Sequence, residues 1–287
     1  MALKDMLVWL DQTNRSSLHL QLAADLARRH GSGMTALYVR EWNPAQLAHR
    51  KTAELAGRPL GEVQELNHDA EASIDESAAK ARAEVEHVAA QYGIEIEWRL
   101  ADGEASRVLP QYARYADLCV LDAEIPAAST SAGYRFSAEM LFVSGRPVLL
   151  VPQASGLTTL GAHVAVAWNS SRASARAVND ALPLLERSER TTVIAINPED
   201  FIGRHGSLPL PKLLEHLGRH GISAHCVQLT DVAPAEIADT LQQRARLAGA
   251  DLLVAGAHGH LWLRDMLLGS VTRDLLAHLR LPVMMSN

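Results

Sequence analysis

The segment Ala250-Asp251-Leu252-Leu253-Val254-Ala255-Gly256-Ala257-His258-Gly259 predicts a buried strand that runs into a glycine-containing loop. Its four consecutive apolar residues, Leu252–Ala255, are typical of a strand covered on both faces of a parallel sheet. Gly256 and Gly259 have no side chain, so the backbone there can approach a ligand closely or take a positive φ. In open parallel sheets, ligands bind beyond the carboxyl ends of the strands, which is where this loop would lie.

A second motif, Gly269-Ser270-Val271-Thr272, follows after nine further residues and begins a predicted helix. Backbone N–H groups at a helix N-terminus, together with the positive end of the helix dipole, favour an anion. The hydroxyls of Ser270 and Thr272 add donors, whereas the cations near the motif are only Arg264 and Arg273. The spacing therefore predicts a phosphate site that depends on N–H and hydroxyl groups more than on cationic side chains. It differs from the P-loop and from the G-x-G-x-x-G fingerprint.

The same order of elements occurs twice along the chain. Strand-like segments of the two halves correspond as Met6–Asp11 to Val164–Asn169, Ala116–Leu121 to Ala250–Ala255, and Arg146–Val151 to Leu281–Met285. Each half reads as five strands alternating with four helices, which implies a parallel sheet with helices on both faces. We therefore predict an α/β fold of two tandem doubly wound, Rossmann-like five-stranded domains, at residues 1–152 and 161–287, joined by a polar linker at 153–160.

The first half is longer than the second. The offset between corresponding strands falls from 158 residues at the first strand to 134–135 at the last two. We place the extra residues of the first half in a loop between Arg40 and Ala70, because Pro44, Gly57, Pro59 and Gly61 interrupt this stretch. A charged, alanine-rich helix is predicted to follow, from Ala70 to Tyr92.

Composition limits the class of function. The chain has 48% apolar residues, 21% charged residues and a net charge of −6, which disfavours nucleic-acid binding. Residues 1–152 hold 15 Lys and Arg against 21 Asp and Glu, and residues 153–287 hold 12 of each, so an anion meets less repulsion at the second half. No apolar stretch approaches the roughly 20 residues of a membrane span, and the N-terminus does not resemble a signal peptide. We expect a cytoplasmic protein in which Cys119 and Cys226 are core residues.

The pattern G-x2-G-x9-G-[ST] after a fourth strand resembles the ATP-binding signature of the universal stress protein family. The flanking Leu267-Leu268 and the final Pro282-Val283 resemble that family too. The resemblance implies that Gly256, Gly259, Gly269, Ser270, Val271 and Thr272 hold the phosphates and ribose of ATP, with ADP and AMP as alternatives and Mg²⁺ accompanying the phosphates. It further implies that Ala255 lines the ribose and that Ala167, Asn169 and Ile196 hold the adenine. The family usually has an aspartate where Asn169 stands.

The first half lacks this signature. Alignment of Asp117 with Asp251 places Asp122 at the position of Gly256 and Ile125 at that of Gly259, and no Gly-Ser pair opens the last helix. A carboxylate and bulky side chains would oppose phosphate there. We therefore expect one nucleotide site per chain, in the second half.

The family also implies intramolecular pairing of the two domains. Members commonly pair through their last strands, here Val148–Val151 and Val283–Met285, and the resulting internal pseudo-dimer leaves a further homodimer open. Without this pairing, the two strands would be exposed apolar edges.

Other motifs leave alternatives. His216 and His220 have a spacing that can bind zinc, but a solvated helix face explains them better because no cysteine or carboxylate completes a tetrahedral set. No residue is assigned as catalytic, so any ATP hydrolysis would be slow. A scaffold protein without nucleotide and an adenylyl-transferring enzyme remain as alternative functions.

Overall fold

Strands and helices alternate along the part of the chain described by the computed structural model, which covers residues 2–11, 18–40, 60–123, 130–153, 156–199, 210–257, 259–260 and 267–287. The strands are β1 (Asp5–Leu10), β2 (Gly33–Arg40), β3 (Ile96–Asp102), β4 (Leu118–Asp122), β5 (Val148–Val151), β6 (His163–Ala167), β7 (Arg190–Ile196), β8 (Ala224–Leu229), β9 (Leu252–Gly256), β10 (Gly259–His260), β11 (Leu267–Leu268) and β12 (Val283–Ser286). The helices are α1 (Leu18–His30), α2 (Leu60–Tyr92), α3 (Ala105–Ala113), α4 (Thr130–Val143), α5 (Arg172–Leu185), α6 (Leu210–Arg219), α7 (Ile237–Leu247) and α8 (Ser270–Ala277).

Ten of these strands form one sheet, in the order β3-β2-β1-β4-β5-β12-β9-β6-β7-β8. Within each half the neighbouring strands are parallel, and both halves have the same order, with the first strand between the second and the fourth. The predicted doubly wound α/β fold is therefore confirmed. In each half the chain reverses its direction of winding between the first and fourth strands, at β1–β4 and at β6–β9. Such a switch point is where ligands bind in folds of this kind.

The two halves join through their last strands. β5 and β12 pair antiparallel, with Leu150 opposite Val283, Leu149 opposite Met284 and Val148 opposite Met285. All of these side chains are buried. The pairing that the family resemblance implied, and that the apolar edge strands favoured, is present, and it converts two five-stranded sheets into one sheet of ten strands.

Helices cover both faces of the sheet and define two hydrophobic layers. Apolar side chains of α1, α2, α5 and α6 pack on one face, and those of α3, α4, α7 and α8 pack on the other. The central strands are buried along nearly their whole length, which explains their continuous apolar sequences. The edge strands β3 and β8 alternate between more and less exposed side chains.

Two features differ from the sequence prediction. Helix α2 begins at Leu60, ten residues before the predicted start, because most residues from Leu60 onward are good helix formers and a single glycine, Gly61, costs only about 1 kcal/mol. The loop between Gly256 and Gly269 contains a small antiparallel pair, β10–β11, that has no counterpart among the predicted elements.

The cysteines are free thiols. Cys119 is buried in β4, and burial raises the pKa of its thiol to about 12, so this side chain is an uncharged core residue as predicted. Cys226 is only half-buried because β8 lies at the edge of the sheet. Among the described helices, none combines the length and the apolar character needed to cross a membrane.

Candidate functional site

A cavity of about 290 Å³ lies at the carboxyl end of the sheet in the second half, beside the β6–β9 switch point. Strands β6, β7 and β9 form its floor, and helices α7 and α8 form its wall. Its lining residues are Ala167, Trp168, Asn169, Ser174, Ile194, Ile196, Ile237, Leu241, Ala255, Gly256, Gly269, Ser270, Val271, Thr272 and Leu275.

Nine of the ten residues predicted for the site line this single cavity. They are Ala167, Asn169, Ile196, Ala255, Gly256, Gly269, Ser270, Val271 and Thr272. The tenth, Gly259, lies instead in β10, where it pairs with Leu268 of β11. Pairing of β10 with β11 brings the two ends of the intervening loop together. Gly256 and Gly269 therefore line the same cavity although they are 13 residues apart in sequence.

The N-terminus of α8 faces the cavity without a side-chain cap. Gly269 is the N-cap residue, with φ −57° and ψ 147°, and it has no side chain that could cap the first turn. The first helical backbone bond runs from the Arg273 N–H to the Gly269 carbonyl at 3.0 Å. The N–H groups of Ser270 and Val271 therefore have no acceptor within the helix. By contrast, the Ser171 hydroxyl caps α5 by accepting a hydrogen bond from an N–H of its first turn.

Cationic side chains contribute little among the residues that line the cavity. Arg273 is exposed, and its Nε lies 3.4 Å from Asp274 Oδ1, so it is engaged with its neighbour in the helix. Neither Arg273 nor any other lysine or arginine is among the described lining residues. Arg264, the other cation near the motif, lies outside the described residues.

Gly256 has a different role from the one that the sequence suggested. Its φ is not positive, and a Cβ added to it would lie 2.4 Å from the nitrogen of Ser174 and 2.5 Å from the carbonyl carbon of Ala173. Gly256 is therefore required for the close approach of α5 to β9. This contact also brings the α5 N-terminus to the cavity, which explains why Ser174 lines it.

An apolar group on one side of the cavity was not predicted from the sequence, except for Ile196. Ile194 and Ile196 point to the same face of β7, and Ile237 and Leu241 lie one turn apart on α7, with Leu275 of α8 beside them. The i, i+2 spacing on a strand and the i, i+4 spacing on a helix are detectable in sequence. The signal is the same for core residues, so only the cavity distinguishes them.

Backbone strain concentrates at this edge of the second half. In the described part of the chain, the non-glycine residues with positive φ are Ser170 at 58°, Asn197 at 47° and Asp231 at 60°. They follow β6, β7 and β8 respectively. Asn197 also donates a hydrogen bond to the Val232 carbonyl at 2.7 Å and accepts one from the Val232 N–H at 3.1 Å. Such strain clusters at functional sites, where the surrounding contacts hold it in place.

The corresponding space in the first half is filled by aromatic side chains. Val8 and Val166 hold equivalent places in their sheets, opposite Val120 and Val254, so Trp9 stands where Ala167 stands. The Trp9 ring packs against Phe136 of α4, with their centroids 4.9 Å apart. Trp9 is only 7% exposed. An indole thus occupies the position that the small Ala167 side chain leaves open in the second half.

A buried polar group completes this difference. Asp122, at the position of Gly256, is buried and accepts a hydrogen bond from Gln153 Nε2. His19 is also buried, and its Nε2 lies 3.1 Å from the Trp9 carbonyl. Burial lowers the pKa of His19, although the nearby Asp122 carboxylate opposes this shift. Ile125, the other replacement noted in the sequence, lies outside the described residues.

Two other candidates show no comparable geometry. The rings of His216, on α6, and His220, in the turn after it, are 4.9 Å apart, but no group of three potential metal ligands occurs within the described ranges. A wider groove of about 810 Å³ runs between α3 and α4, lined by exposed residues such as Tyr112 and Tyr115. It is open to solvent and lies away from both switch points.

Comparison with known proteins identifies a family for the second half of the chain and a similar fold over its whole length. Residues 162–287 match the model of the universal stress protein family. The structure of a universal stress protein from Archaeoglobus fulgidus DSM 4304 is similar, with a TM-score of 0.72, 17% identity, and coverage of 99% of this chain and 98% of that chain. A putative universal stress protein from Pseudomonas aeruginosa UCBPP-PA14 gives a TM-score of 0.59 and 14% identity, over 99% of this chain and 93% of that chain.

A search of curated proteins found no match. The identities to the solved structures are low, so those structures show only that the fold is shared. The assignment of the second half to the family comes from the family model. Residues 162–287 are thus a universal stress protein domain, and the universal stress protein fold extends over both halves of the chain.

Proposed function

We propose that this protein binds ATP in its second half, at the cavity beside the β6–β9 switch point, and that it acts as a nucleotide-dependent regulatory protein in a stress response. The observation that carries the proposal is the N-terminus of α8, where the N-cap residue Gly269 supplies no side-chain cap and the Ser270 and Val271 N–H groups have no acceptor within the helix, beside a cavity with an apolar opposite side. Anions bind to helix N-termini of this kind.

The cavity has the two parts that a nucleotide requires. The side chains of Ile194, Ile196, Ile237 and Leu241 supply an apolar surface for a flat base. Gly269 and Ser270 supply donors for phosphate oxygens on the other side. A volume of about 290 Å³ is near the lower end of small-molecule sites, which span roughly 300–1,000 Å³. This size fits a nucleoside better than a macromolecular ligand.

The same lining argues for slow turnover at most. The described lining residues include no carboxylate or histidine that could act as a general base, and no arginine that could stabilise the transition state. Mg²⁺ would therefore be held mainly through the phosphates themselves. The protein would work by holding the nucleotide, with domain 1 (residues 1–152) as a structural partner of domain 2 (161–287).

Titration calorimetry with ATP tests this proposal. We expect one site per chain, and we expect Gly269→Val to remove binding because its side chain would enter the space of the phosphates. Its backbone conformation, with negative φ, is accessible to valine, so thermal stability should change little. Two equivalent sites per chain, or unchanged affinity in Gly269→Val, would contradict the assignment. No binding of any nucleotide would favour the alternative of a scaffold.

A further inference from the structure

Asn169 lies at the end of β6, where the cavity opens, and its side chain is already committed to one hydrogen bond. Its Oδ1 accepts a hydrogen bond from the Ser171 N–H at 3.2 Å. A backbone N–H can only donate, so the atom that faces it must be the amide oxygen and not the nitrogen. The orientation of this amide is thus determined by the chemistry of its partner.

The remaining polar group of the Asn169 side chain is its amide nitrogen Nδ2, which carries two N–H donors. No partner for Nδ2 occurs among the described residues, and Asn169 lines the cavity. The neighbouring Ser174 hydroxyl donates to the Ser171 carbonyl at 2.9 Å, so it is engaged at the N-terminus of α5. On this side of the cavity, the uncommitted polar side-chain group is therefore a donor.

Purine bases differ in what they present at C6. Adenine has an amino group, which donates, whereas hypoxanthine and guanine have a carbonyl oxygen, which accepts. A donor in the site that meets a donor on the base leaves both without a partner, and a buried polar group without a partner costs about 1–3 kcal/mol. The described lining residues offer no carboxylate that would accept from the amino group of adenine.

We propose that Asn169 is the specificity-determining residue of the base subsite and that it favours a purine with oxygen at C6. This inference rests on the proposed function, namely that a purine nucleotide binds in this cavity. On this inference, the cavity binds 6-oxopurine nucleotides at least as tightly as ATP. The competing interaction is the second lone pair of Asn169 Oδ1, which is a weak acceptor because it is neutral and its oxygen already holds the Ser171 N–H.

The test compares ATP with ITP, which differ only in the group at C6 and the protonation of the adjacent ring nitrogen. We expect the wild-type protein to bind ITP at least as tightly as ATP. In Asn169→Asp the carboxylate still accepts the Ser171 N–H, so the start of α5 is retained, but the two donors are replaced by an acceptor. The ratio of ITP to ATP affinity should then fall by about tenfold or more, since hydrogen bonds to charged groups are worth about 1.5–3 kcal/mol.

Asn179→Asp is the matched control. Asn179 is exposed on α5, where its Nδ2 donates to the Ala175 carbonyl, and the substitution adds the same charge outside the cavity. It should leave the ITP to ATP ratio unchanged. A wild-type protein that prefers ATP by more than about threefold, or an Asn169→Asp variant with an unaltered ratio, would overturn the inference while leaving nucleotide binding intact. Absence of binding by both nucleotides would overturn the proposed function and this inference together.

Discussion

Gly256 packs against the backbone of Ser174 so closely that a Cβ on Gly256 would lie 2.4 Å from the Ser174 nitrogen. The atoms in the way belong to the backbone of α5, which cannot rotate aside as a flexible side chain can. The same contact holds the α5 N-terminus beside the cavity.

We therefore expect Gly256→Ala to destabilise the fold by about 1–3 kcal/mol, the usual cost of overpacking, and to weaken nucleotide binding by displacing α5. Urea unfolding measures the first effect. Gly218→Ala is the control, because Gly218 lies in α6 with no atom within 4 Å of an added Cβ. There, alanine should be neutral or stabilising by up to about 1 kcal/mol. Equal losses in both variants would contradict the packing argument.

Asp251 connects the strand of the ligand site to the start of the second half. Its carboxylate accepts hydrogen bonds from the N–H groups of Gly161 at 2.9 Å, Ala162 at 2.9 Å and His163 at 3.2 Å. Asp117 has the equivalent place in the first half. Its carboxylate accepts hydrogen bonds from the backbone N–H groups of Lys4 at 2.7 Å and Asp5 at 3.1 Å.

We expect Asp251→Ala to lower the free energy of unfolding by at least about 2 kcal/mol, because three backbone donors lose a charged acceptor. Asp117→Ala should cost less, because only two donors are involved and they are more exposed to water. Denaturant unfolding of both variants measures the difference. A larger loss in Asp117→Ala than in Asp251→Ala would contradict this ranking.

His30 is the last residue of α1, next to contacts between the two halves of the chain. Arg29 donates a hydrogen bond to the Leu160 carbonyl, and Arg187 donates one to the Arg29 carbonyl. Burial, with the charges of Arg187 and Arg29, lowers the pKa of His30 to about 4. Its pKa in the unfolded chain is about 6.5, so between these values the unfolded state binds more protons.

Stability should therefore decrease as the pH falls from about 7 towards 4. We expect His30→Gln to flatten part of this decrease, with the remainder due in part to the buried His19. Denaturant unfolding at several pH values gives the comparison. His87→Gln is the control, since His87 is exposed on α2, and it should follow the wild-type profile. A His30→Gln profile parallel to that of the wild type would show that this histidine is not responsible.

Ser270 and Arg273 test how phosphate is recognised. Ser270 begins α8 at the cavity, whereas Arg273 is exposed and lies beside Asp274. We expect Ser270→Ala to lower the affinity for ATP by about tenfold, because one hydrogen bond to a charged group is lost. Binding should not be abolished, because the Ser270 N–H remains. Arg273→Ala should weaken it less. A hundredfold loss in Arg273→Ala with a silent Ser270→Ala would show that a cation carries the site.

Much of the fold could be predicted from local sequence, and most of the candidate site from local motifs together with the family resemblance. Apolar runs such as Leu252–Ala255, short and bounded by turn residues, favour a buried strand, and their recurrence in two halves indicates the repeated sheet. The Gly269-Ser270 pair marks a helix start whatever surrounds it, because the requirement is local. The family resemblance supplied the remaining positions, and nine of the ten predicted residues line one cavity.

The sequence by itself thus determined the alternation of elements and the places of Gly256 and Gly269-Ser270 at the end of β9 and the start of α8, while the pairing of the last strands followed from the family resemblance. Only the tertiary structure decided that Trp9 fills the first-half space against Phe136, that Gly256 serves the packing of α5, and that Asp251 ties β9 to the start of β6. These are contacts between residues far apart in sequence. Periodicity and propensity report the surroundings of one element, whereas such contacts depend on the distance and angle at which two elements pack.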